Sequence, residues 1–126
     1  NPKNCESQSR YRVSIIYLYN YGINGKTRAE EKMKILALEI ENPDCAQIVT
    51  PELLKREALA MKRMLQAGQI REIYFQAEAH TAVIVMETQD RPEAEAFLER
   101  LPLVRSGAIH FEIIPLVPYD GFNRLR

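Results

Sequence analysis

Residues 80–116 read HTAVIVMETQDRPEAEAFLERLPLVRSGAIHFEIIPL. The stretch is an apolar run, a charged amphipathic run and a second apolar run, which is the pattern of strand, helix, strand. Ala82 to Met86 is apolar at consecutive positions, whereas a strand with one wet face alternates polar and apolar residues. Both faces of its sheet are therefore expected to be covered. Asp90-Arg91-Pro92-Glu93 starts the helix as a capping box with Asp in place of Ser or Thr. Ala94, Phe97, Leu98 and Leu101 share one helical face. Pro102 is expected to end the helix near Arg100, because it disfavours helical geometry in the residue before it. Gly107 allows a turn into the last strand, Ala108 to Leu116. There Ile109, Phe111 and Ile113 share one face, and His110, Glu112 and Ile114 share the other.

Working back towards the N-terminus, Met33 to Glu41 (MKILALEIE) has strand composition, and Asn42-Pro43-Asp44 breaks it. Cys45 to Val49 reads as a loop. Thr50 is placed as N-cap and Pro51 as first residue of a helix running to about Ala67, with Gly68 just past its end. The apolar stripe Leu54, Ala58, Met61 and Leu65 predicts its inward face. Ile70 to Gln76 is a second strand, Glu78-Ala79 a hairpin connection, and His80 onward the third strand. The order β-α-β-β-α-β predicts an α+β, ferredoxin-like domain over 33–119, a four-stranded antiparallel sheet with two helices on one face. Two helices cover one face only. The apolar residues on both faces of the strands (Val83, Ile84, Val85, Ile109, Phe111, Ile113 and Ile114) imply that a second copy covers the other, giving a homodimeric α/β barrel. Residues 120–126 form a C-terminal tail.

Residues 1–32 are read as a leader or arm. Tyr11 to Tyr21 (YRVSIIYLYNY) holds four of the chain's six tyrosines. An extra edge strand or an arm on a neighbouring subunit is preferred to a base-stacking surface beside Arg10 and Arg12. A third reading sets this leader apart from the domain that opens at Met33. Formal net charge is zero, with 17 basic and 17 acidic residues, so charge makes no case for nucleic acid or a membrane surface. Residues 1–32 nonetheless carry six Lys or Arg against three acids. Cys5 and Cys45 have no metal-ligand spacing, and nothing indicates a secreted disulfide framework. No apolar run approaches the roughly 20 residues that span a bilayer, and no signal peptide is evident. A cytoplasmic location is the expectation.

One set of features extends beyond periodicity. The first strand opens at Met33; Glu57 and a Leu-Gln pair precede Gly68; Leu101-Pro102-Leu103 leads into the strand Ile109-His110-Phe111-Glu112-Ile113. On these features the chain, from Met33 to about Tyr119, resembles the muconolactone isomerase-like branch of the dimeric α/β-barrel superfamily. The resemblance implies a small homo-oligomer built on a dimer, no metal or organic cofactor, and in the type enzyme a proton shift within a lactone. The family's segment after the helix-ending glycine often carries tryptophans, whereas this chain has Ile70 and Tyr74 there and no tryptophan at all.

The sequence contains no nucleotide-binding glycine loop, no HExxH, no GxSxG and no metal-ligand cluster. Glu57 is the most informative residue, an acid set within the inward arc of an apolar helical stripe. Burial would raise its pKa and suit it to general acid or base work; at the edge of the stripe it would be a solvated, paired carboxylate. His110 and Glu112 share a strand face. If the helix bearing Glu57 packs over that face, Glu57 and His110 could move a proton, with Tyr74, Arg71, Glu112 and Arg105 binding substrate. The competing reading gives His110 and Glu112 cross-strand or interface hydrogen bonds, Tyr74 a packing role and Arg105 a solvated loop charge. His80, at a strand start, is assigned to a turn. The expectation is a cofactor-free isomerase acting on a small carboxylated or lactone-type molecule. The alternatives are a non-catalytic small-ligand-binding or assembly module and a cofactor-independent monooxygenase of the same superfamily.

Overall fold

A computed structural model describes residues 32–126. The readings of the leader fall on residues outside this range, save Lys32. Four strands, β1 (Met33–Glu41), β2 (Ile70–Phe75), β3 (Ala82–Thr88) and β4 (Ile109–Leu116), form one sheet in the order β2-β3-β1-β4. Every neighbouring pair is antiparallel. Helices α1 (Pro51–Ala67), α2 (Arg91–Leu98) and α3 (Pro102–Arg105) complete an α+β domain compatible with a ferredoxin-like arrangement.

The helix starts follow from the caps. Thr50 Oγ1 accepts from the Leu53 N–H at 3.1 Å, with Pro51 in the first turn. Asp90 Oδ1 accepts from the Glu93 N–H at 2.9 Å, and Glu93 reaches back to the Gln89 N–H at 2.7 Å. Gly68 follows α1 with φ of 89°, a left-handed conformation that favours glycine.

Three local expectations are corrected. Pro102 does more than end the preceding helix: it occupies the first turn of α3, where its missing N–H costs nothing. Arg105 therefore ends a short helix and is not a loop residue. Residues read as a loop after Asn42 form a 3-10 helix, Pro43–Ile48, with the Asn42 side chain accepting from the Asp44 N–H. Cys45, buried beneath that turn, is disulfide-bonded; Cys5, the only other cysteine of the chain, lies outside the described residues.

Residue parity along the strands sorts the two sheet faces. Met33, Ile35 and Ala37 of β1, Ala82, Ile84 and Met86 of β3, and Ile109, Phe111 and Ile113 of β4 are buried under the helices. With Ala94, Leu98 and Leu101 they make the core. The opposite face carries Leu36, Leu38, Val83, Val85 and Ile114, all half-buried, and Ile40, Leu116 and Tyr74, all exposed. Cross-strand partners on that face, Leu36 with Val85 and Ile114, and Leu38 with Val83, make the apolar surface continuous.

Phe111 was grouped with the residues expected to hold two copies together. It is 1 % exposed, in the core of its own domain. Phe111→Asp should thus place an unpaired charge in the core and cost more than about 3 kcal/mol of stability. Loss of cooperative thermal unfolding by circular dichroism is the expected result.

Candidate functional site

Helix α1 does not lie flat on the sheet. It leans on β2 and on α3, while α2 covers β3 and β4. Its buried residues are Leu53, Glu57 and Met64. The stripe expected to face inward is turned aside: Leu54 and Leu65 are 49 % and 44 % exposed. That stripe lines one wall of an open cleft between α1 and the sheet, with a volume of about 860 Å³. Ile73 and Phe75 of β2, Ala82 of β3 and Ile109 of β4 line the opposite side.

Three acids, Glu39, Glu41 and Glu57, line this largely apolar space, and two of them accept from backbone N–H groups. Glu57 is 7 % exposed. Its Oε1 accepts from the Leu103 N–H at 2.9 Å, and its Oε2 is buried with no hydrogen-bond partner. Burial pushes its carboxyl above the ordinary glutamate range; the Leu103 N–H opposes this, and the charge of Glu39 adds to it. Glu39 projects from β1, in phase with Met33, Ile35 and Ala37. Its Oε1 accepts from the Ala82 N–H at 2.8 Å. Its carboxyl is also raised, first by burial and further by Glu41, while the Ala82 N–H and His80 lower it. His80, after the β2–β3 turn, has φ of 57° and stacks on Phe75 with ring centroids 4.1 Å apart. It lines the cleft with Glu39 and Glu57.

The sheet separates the residues that the sequence suggested as one site. Glu57 lies on the helix side. His110, Glu112 and Tyr74 alternate with Ile109, Phe111 and Ile73 and therefore occupy the opposite face. The expected convergence of Glu57 with His110 is thus corrected: a sheet stands between them. His110 Nδ1 is buried without a hydrogen-bond partner on that other face. Tyr74 is exposed, and its hydroxyl donates to Glu72 at 2.6 Å, which raises its pKa. Arg71 is exposed and 3.8 Å from the Glu87 carboxylate. Arg105 is exposed at the end of α3. None of the four proposed substrate-binding residues lines the cleft.

Glu39 and His80 were missed as site residues. Glu39 had a readable signal, since strand parity puts it on the same face as the core residues of β1. His80 had none, because its position depends on the turn. Among the described residues, no group of three or more His, Cys, Asp or Glu is disposed to hold a metal ion, and no helix is long and apolar enough to cross a membrane.

No protein-family model matches the chain, and no curated protein matches its sequence.

The raised Glu57 carboxyl has a consequence for stability. A group that holds its proton more tightly folded than unfolded is neutral in both states below the ordinary glutamate pKa, and its burial carries no ionisation penalty there. Stability is then lost as pH rises through the folded value. Glu57→Gln can keep an acceptor for Leu103 and removes the ionisation. It should match the parent in melting temperature near pH 4 and exceed it near pH 8. Melting curves across that range check the sign.

Proposed function

We propose that the chain is a cofactor-free proton-transfer enzyme, muconolactone isomerase-like, acting on a small carboxylated or lactone-type molecule in the cleft between α1 and the sheet. The observation that carries this reading is Glu57: a buried acid, anchored through one oxygen, with its second oxygen unpartnered in an apolar cleft. Such an acid is a stronger base than a solvated glutamate once ionised, and it is held in place by Leu103. It would take a proton from a carbon next to a carbonyl. The C–H electron pair passes into the enolate, and a proton from the acid, which exchanges with solvent while it is held there, is delivered to another carbon of the same molecule. The step is an isomerisation, with no net change of redox state. His80, lining the cleft, is the candidate donor to the enolate oxygen, a role that His110 cannot fill from the opposite face of the sheet.

The working unit of this proposal is a homodimer. The continuous apolar patch of Leu36, Leu38, Val83, Val85 and Ile114 supports a second copy on the open face. The disulfide at Cys45 weighs against the cytoplasmic location expected from the sequence. One observation favours non-catalytic ligand binding instead: His80 is exposed, so the acid has no buried histidine partner in the cleft.

Glu57→Gln should lower turnover of an enolisable lactone at least about 100-fold with the fold unchanged. Solvent deuterium exchange into the substrate, followed by NMR, reads the proton transfer directly; unchanged exchange removes the proposal. Val85→Asp, at the centre of the open face, should leave a folded monomer by sedimentation equilibrium. A persistent dimer would mean that copies meet elsewhere.

A further inference from the structure

The cleft's acids also speak to the charge of what it holds. We propose that the cleft between α1 and the sheet selects a small apolar molecule whose head group is a hydrogen-bond donor without negative charge, such as a hydroxyl or a protonated amine, and discriminates against carboxylates. This narrows the substrates proposed above to uncharged lactone-type molecules that carry a donor such as a hydroxyl, excludes the carboxylated ones, and rests on the same cleft being the ligand site.

Three observations combine. First, the lining is apolar over most of its area, through Leu54, Met61, Leu65, Ile73 and Ile109, so the body of the ligand is apolar. Second, Glu57 is more than nine-tenths buried, and its Oε2 lacks any protein partner. When Glu57 is ionised, that oxygen can only accept hydrogen bonds. A bound donor satisfies it, whereas a bound carboxylate offers it nothing and repels it. Third, the charges around the cleft are uneven. Glu39, Glu41 and Glu57 all line it, against one lysine, Lys62, which is exposed. Glu39 already raises the Glu57 carboxyl by repulsion, and a third negative charge between them would raise the cost again. Lys62 is solvated, so its attraction for an anion is weakened by water.

The test is calorimetric titration of the chain near pH 8 with three matched probes: 2-naphthol, 2-naphthylmethylammonium and 2-naphthoate. The first two should bind, and naphthoate should bind about tenfold or more weakly, from one like-charge contact in a partly wet cleft. Glu57→Gln and Glu39→Gln should each narrow that gap, by improving naphthoate and weakening the ammonium. Both variants can keep an acceptor for the backbone N–H that the parent acid holds. Circular dichroism melts identify any that does not fold, and the other then decides. Naphthoate binding as tightly as naphthol overturns the inference. So does the absence of binding by all three probes, or a gap that persists in a folded Gln variant. The two proposals fail separately. Selective binding with no deuterium exchange removes the enzyme reading and leaves this one. Exchange into carboxylated substrates as fast as into neutral ones does the reverse.

Discussion

The hydrogen bond from the Leu103 N–H to Glu57 Oε1 joins two elements 46 residues apart in sequence, and the cleft depends on it. Leu103 is the second residue of α3. Its N–H is one of the donors that a helix start leaves without an intrahelical acceptor. Leu101, at the cap, makes no side-chain bond to satisfy it. Glu57 therefore acts as a cap supplied from another helix. Without it, a buried N–H would be left unsatisfied, at about 1–3 kcal/mol. With it, α1 is tied to α3 beside the cleft that both residues line.

The same bond explains why an acid is tolerated in the arc of α1 that faces inward. One of its oxygens is satisfied by backbone, so only the other carries the cost of burial. The residual cost appears as the raised pKa. A stability requirement (capping α3) and a chemical opportunity (a buried, unpartnered lone pair beside an apolar cleft) thus meet in one side chain. Glu39 repeats the device on the sheet side, with the Ala82 N–H as its anchor.

Much of the architecture was legible in residue order. The strands followed from apolar runs, and Thr50, Pro51, Asp90 and Gly68 marked helix ends by local chemistry that tertiary context did not override. The site was only half legible. Glu57 stood out because an acid interrupts an apolar arc. Its supposed partner His110 was misplaced because both faces of β4 carry apolar residues, so the pattern could not say which one the helices cover. The outward turn of Leu54 and Leu65 was hidden for a related reason: a stripe lining a cleft has the same spacing as one packed on a sheet. Glu39 required knowing which parity of β1 is the core face, and His80 required the turn before it. The oxidised state of Cys45 depends on a pairing that spacing alone did not suggest.

The two-sided sheet has a consequence for how the chain finds its register. Sliding a strand by one residue exchanges its faces. In most half-buried strands this is forbidden, because polar residues would enter the core. In β1 the exchange would put Leu36 and Leu38 where Ile35 and Ala37 now lie, and hydrophobicity alone would barely resist it. What resists is bulk at the Ala37 position and polarity at the two ends of the strand. Lys34 would have to enter the core, and Glu39 would lose the Ala82 N–H that it holds across 43 residues. The cleft acid is therefore also a pin for the central strand, and the accuracy of β1 pairing during folding rests on a few end residues more than on its apolar run.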